Sequence, residues 1–154
     1  MKKIPEEIVD FFYNQGFVIT STLGIDKIPH TSCKGIVEID PKGLIYLLDL
    51  YRGQTYENLK HHKYLSITAV DEHRFKGYCL KGEVKSIREE DITDKVIEAW
   101  GNRVTSRITQ RLLKNMHGEK GHPKHPEILL PKPEFMIVIQ VEEIVDLKPQ
   151  HIKE

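Results

Sequence analysis

The sequence predicts a mainly β fold, a six-stranded antiparallel β-barrel with an N-terminal helix and a helical insertion before the last strand. Three observations lead there. Segments rich in Ile, Val, Tyr and Thr are separated by Gly- and Pro-bearing turns, which is strand-and-turn chemistry. Helical spacing of apolar residues is confined to the N-terminus, to a short stretch before residue 62, and to residues 89–115. An antiparallel order needs no long crossover, and closing the sheet removes exposed edges. An open α+β sheet with one helix-covered face satisfies the same pattern.

Helical character begins at Pro5 and runs to Asn14, with Pro at the first turn, Glu6 and Glu7 at the positive end and Gly16 as the stop. Ile4, Ile8, Val9 and Phe12 share one face, an amphipathic cover for something apolar. The period then changes. The sequence predicts strands at Phe17 to Leu23 and Ile28 to Ile39, joined by a turn over Gly24 to Lys27. Asp40-Pro41-Lys42-Gly43 is a turn, so Leu44 to Leu50 returns as the other arm of a hairpin.

A short helix is expected from Thr55, as N-cap, to His61. Strands are expected at Tyr64 to Val70 and Tyr78 to Ile87, with a charged connection from Asp71 to Gly77. Ile92, Val96, Trp100, Val104, Ile108 and Leu112 recur every four residues, with Gly101 read as a break between two helices. His117 to Pro133 reads as a loop and Phe135 to Val145 as the last strand.

A chain of 154 residues is most simply one domain, 1–154. Acidic and basic side chains balance at 23 each, so no global field directs it to nucleic acid or membrane. No apolar run approaches the ~20 residues that span a bilayer. The N-terminus lacks the apolar stretch of a signal peptide, and two cysteines do not make a disulfide framework. The expectation is a cytoplasmic protein, with Cys33 and Cys79 as small core residues.

The segment from Leu47 to Leu59 carries the most chemical information. An apolar strand ends, a loop with Arg52, Gly53 and Thr55 follows, and a helix begins at once. A helix N-terminus offers unpaired N–H groups and partial positive charge to a phosphate. Gly53 permits close approach, Arg52 brings a guanidinium and Thr55 a hydroxyl. The competing reading is a Thr-capped connector with a solvated arginine. His117, His122 and His125 lack an established metal-ligand spacing, and no metal is expected. His61 and His62 suit a helix C-terminus, Trp100 reads as core or interface, and the run Asp71 to Lys76 as a solvated turn or a reach toward a partner.

The stretches PHTSCKGIVEID, LIYLLDLYRGQTYENLKHHKYLSITAVDE, YCLKGEV and FMIVIQVEEI, taken in order, resemble FMN-binding split β-barrels of the pyridoxamine 5'-phosphate oxidase-like family. The resemblance implies FMN at the interface of a homodimer, with the phosphate after the third strand, at Gln54 and Thr55. Relatives often carry Lys or Arg where Gln54 stands; Gln54 brings no charge, and Arg52 or Lys34 would supply it. The resemblance also implies that the strand bearing His30, Thr31, Ser32, Cys33 and Lys34 runs along the isoalloxazine. Thr31 and Cys33 fall on one face, Ser32 and Lys34 on the other. Lys34 is the candidate to stabilise the reduced flavin, and Asp49, Leu50 and Tyr51 approach the ribityl chain or ring edge.

No catalytic residue is assigned. Pyridoxamine 5'-phosphate oxidase itself is not the expectation, because no Trp and no Arg follow Arg111. The implied function is an FMN-dependent oxidoreductase of unassigned substrate. The alternatives are an FMN-binding electron carrier or flavin store, or a split barrel holding haem or a deazaflavin.

Overall fold

In the computed structural model, which describes residues 1–89, 92–119 and 124–152, the six strands close into one antiparallel barrel. The elements run α1 (Glu6–Tyr13), β1 (Val18–Leu23), β2 (Pro29–Asp40), β3 (Leu44–Asp49), α2 (Gln54–His61), β4 (Tyr64–Asp71), β5 (Lys76–Arg88), α3 (Asp94–Met116) and β6 (Phe135–Asp146). Around the barrel the order is β1-β2-β3-β6-β5-β4, and β1 pairs with β4 to close it. The expected architecture is therefore the observed one, and the open sheet is not.

Alternation fills the interior. Ile45 and Leu47 of β3, Ile67 of β4, Leu80 of β5 and Ile137 and Ile139 of β6 are buried, each contributing roughly 1.5–3 kcal/mol by leaving water. Helix α1 joins this core: Ile8, Val9 and Phe12 face inward as the helical spacing required, and Phe11 is buried beside them. Phe11 meets Phe12 and Tyr78 edge-on. The segment before α1 is tied down by Lys2 N–H to the Val141 carbonyl and Ile4 N–H to the Pro41 carbonyl. Gly43, at φ +119°, admits this crossing; a Cβ there would collide with the Lys2 carbonyl.

Strand β2 carries a bulge. Pairing with β3 shifts register between Ile36 and Glu38, so Ile36 and Ile39 both reach the core although three positions apart. Outside the barrel, Leu48, Met136 and Val138 form a second apolar cluster, against which Val96 and Trp100 of α3 pack.

Four local expectations are corrected. Gly101 does not divide the insertion: α3 is one helix of 23 residues, opened by Thr93 Oγ1 accepting from Val96 N–H. A single interior glycine costs only about 1 kcal/mol, too little to break a helix held along its length. Gly53 is the N-cap of α2, and Thr55 is its second residue, turned inward. Cys33 is exposed and Cys79 half-buried, so neither is a closed core residue. The charged connection shrinks to residues 72–75, because β4 extends to Asp71 and β5 starts at Lys76.

Candidate functional site

A cleft of about 400 Å³ opens between α3 and the neighbouring strands β2 and β3, a size within the range of small-molecule sites. Its strand wall includes Cys33, Lys34 and Gly35, then Asp49, Leu50 and Tyr51 where β3 ends. Its helix wall is Trp100, Arg103, Val104 and Arg107, which share one face of α3 at helical spacing. Phe17 and Leu130 close the sides. Five of the residues expected from sequence, Cys33, Lys34, Asp49, Leu50 and Tyr51, are thus brought together.

Lys34 and Asp49 are an ion pair, Nζ to Oδ2 at 2.6 Å, with Lys34 mostly and Asp49 almost wholly buried. Beyond the ammonium, Asp49 Oδ2 has no hydrogen-bond partner among the described residues. Asp49 Oδ1 accepts weakly from Tyr51 N–H at 3.4 Å. A buried ion pair thus forms part of the cleft wall.

The turn after β3 is open to solvent from Tyr51 to Gln54, and a Cβ on Gly53 would meet nothing within 4 Å. The first N–H groups of α2 lie at this opening. The side chains around it are engaged within the chain. Arg52 pairs with Glu89 and, at 3.5 Å, with Glu134. Gln54 Nε2 donates to Asn58 Oδ1 at 2.8 Å, and Asn58 Nδ2 donates to Thr22 Oγ1 at 3.0 Å. The hydroxyls of Thr55 and Ser32 share a hydrogen bond at 2.9 Å, which fastens α2 to β2.

His30 and Thr31 stand apart from the cleft. They face Thr22 and Ser21 of β1 in register, and Thr31 Oγ1 is 3.4 Å from Ser21 Oγ. Among the described residues no group of three metal-ligating side chains converges, and His122 lies outside those residues. Among the described residues no helix is long and apolar enough to cross a membrane.

Sequence reasoning missed Arg103 and Arg107. The signal was present: two arginines, four apart, interrupt the stripe that carries Trp100 and Val104. Burial pulls both guanidiniums below their ordinary pKa; for Arg107 the neighbouring Arg103 and Arg111 add to the effect, and Glu127 opposes it. Arg111 is instead matched by Glu127, its Nη1 donating to Oε2 at 2.7 Å, and this bond holds the Glu127 carboxyl down to about 2.

The comparisons agree with this architecture. The HupZ protein of Group A Streptococcus is 20% identical, with 94% of each chain covered and a TM-score of 0.65. An FMN-binding protein from Syntrophomonas wolfei is 12% identical, covering 92% of this chain and 89% of that one, at 0.62. HutZ, the haem storage protein from Vibrio cholerae, is 17% identical over 94% of each chain, at 0.52. Likeness at such identity establishes the fold alone. No curated protein sequence matches the chain. A family model described as pyridoxamine 5'-phosphate oxidase matches residues 4–144, nearly the whole barrel with its insertion, and the chain belongs to that family.

Proposed function

We propose that this chain is an FMN-binding flavoprotein that works as a homodimeric oxidoreductase on a small molecule. The observation that carries the reading is continuity: the cleft walled by Cys33, Lys34, Asp49, Leu50 and Tyr51 runs out at Tyr51 into an open turn and the first N–H groups of α2. A flavin nucleotide needs that combination, a partly apolar slot for a planar ring and an anion-receptive end for a phosphoryl group. The residues present fit it: the apolar walls suit the ring, and the unobstructed backbone at Gly53 suits the phosphate.

In that arrangement Leu50 and Tyr51 flank the ring, and Lys34, steadied by Asp49, holds an ammonium at the slot wall. Bound FMN would supply hydride transfer at its N5. The chain's own part is to bind, to orient and to keep water off the slot. Thr55 and Gln54 act through structure, fixing α2 against β2 and β1 so that its N–H groups aim outward. Arg52 supplies charge to the phosphate by leaving its two glutamates.

A partner copy is supported by apolar side chains on the outer face of β1 and β4, where Ile19, Tyr64 and Val70 point to solvent. The test is direct. Purified protein titrated with FMN, riboflavin, haem and a deazaflavin should prefer FMN over riboflavin, and light scattering should give a dimer. Oxidation of reduced nicotinamide by the loaded protein, with a panel of acceptors, separates an enzyme from a carrier. Preference for haem, or equal binding of riboflavin and FMN, would overturn the assignment.

A further inference from the structure

The charges lining the cleft do not balance. Lys34 is neutralised by Asp49 and Arg111 by Glu127. Arg103 and Arg107 are half-buried, and neither has a described carboxylate within ion-pairing distance, although Glu127, already bound to Arg111, attracts Arg107 from farther off. Both are nonetheless held in place. Arg103 rests 5.1 Å from the centre of the Tyr13 ring, whose hydroxyl accepts from Ile39 N–H at 2.8 Å. Arg107 reaches from α3 to β2, where a methyl on Gly35 would sit 3.6 Å from its Nη2. Guanidiniums cannot escape burial by losing a proton, so two of them side by side in a cleft, sharing only the more distant Glu127, are an electrostatic demand met only in part. A fixed pair of planar donors meets that demand best with the paired oxygens of an oxyanion.

We propose that the α3 side of the cleft is a binding site for an organic acid, its oxyanion gripped by Arg103 and Arg107 and its apolar or aromatic body lying along Trp100 and Val104. The acid site stands on the two arginines; its role as the substrate site of an oxidoreductase rests on the flavin reading above. Phe17, Ile36 and Leu130 add apolar wall to the same cleft, so an aromatic or branched acid is favoured over a small hydrophilic one. The oxyanion is a separate ligand's, not the cofactor's phosphoryl group, because Gly53 and Gln54 lie outside the lining of the cleft that holds both arginines, and their open turn already offers that group backbone donors.

The probes are benzoate and benzamide, alike in shape and different in charge, titrated by calorimetry into FMN-saturated and flavin-free protein. Benzoate should bind more tightly than benzamide in both. Arg103→Gln and Arg107→Gln should each weaken benzoate about tenfold, the loss of one charge-assisted contact, and leave benzamide unchanged. Arg103→Lys and Arg107→Lys, which keep charge and helix propensity, should lose less. Variants that bind benzoate as the wild type does, or a wild type that does not distinguish the probes, would overturn the acid site. So would Gln variants that lose FMN affinity while keeping riboflavin affinity, since the arginines would then hold the cofactor's own phosphate. A wild type that binds no FMN but shows arginine-dependent benzoate binding would sink the flavin reading alone.

Discussion

Arg52 gives the proposed phosphate end its sharpest test, because its present partners work against it. The guanidinium is half-exposed and lies between Glu89 and Glu134, both also about half-exposed. Ion pairs this open contribute about 0–1 kcal/mol each. A charge-assisted hydrogen bond to a phosphoryl oxygen contributes about 1.5–3 kcal/mol. The balance favours the phosphate by roughly 1–2 kcal/mol, a factor of about 5–30 in affinity. Arg52→Ala should therefore weaken FMN by that factor. Glu89→Gln with Glu134→Gln should strengthen it, by about fivefold for each kcal/mol of competing ion pair removed and by up to about thirtyfold in all. Riboflavin, which has no phosphate, should bind all three proteins alike. Quenching of flavin fluorescence on titration reads both ligands in one assay. If the Glu variants fail to gain, or FMN and riboflavin shift together, Arg52 has no part in holding a phosphate.

The remaining predictions concern stability. Lys34→Met leaves Asp49 buried without its partner and should cost about 3–5 kcal/mol in urea unfolding, while adding Asp49→Leu should recover most of that. Gly82→Ala drives a methyl into the Gln140 carbonyl across the β5–β6 ladder, and should cost about 1–3 kcal/mol in the same assay. Glu127 has a folded pKa of about 2, below its unfolded value, so its contribution is complete above the ordinary carboxylate range and fades as pH falls toward 2. The stability gap between wild type and Glu127→Gln, followed by thermal melts, should thus be widest near neutrality and narrow steadily in acid.

The barrel was legible because alternation and turn chemistry repeat: each strand of the final fold overlaps its sequence-defined segment to within two residues at either end. What the sequence hid was mostly inter-element pairing. Arg52 reads as a solvated cation beside a glycine, and nothing local says that Glu89 and Glu134, distant in the chain, flank it. Thr55 has the residue type of an N-cap, yet Gly53 serves because the Thr55 hydroxyl is bound to Ser32 on another element. Cys33 belongs to a residue type that is usually buried, but it lies on the outward side of β2, next to the cleft.

The bulge in β2 explains how a strand of ordinary alternation makes a site at all. After it, Glu38 faces Tyr46 and Ile39 faces Ile45; before it, Gly35 faces Leu48. The one-residue slip exchanges the faces of everything from Ile36 back to Pro29. It is what places Lys34 on the side of β2 that meets Asp49, with Ser32 on that same side to reach Thr55. With strict pairing, Lys34 would stand opposite Leu50 and its charge would have no carboxylate. The extra residue shows in the sequence as the run Ile36-Val37-Glu38-Ile39, where apolar residues stand adjacent and then three apart, a pattern no unbroken strand can bury on one face. Fold and site therefore depend on the same irregularity: the slip that keeps both isoleucines in the core is the slip that turns a buried charge toward the cleft.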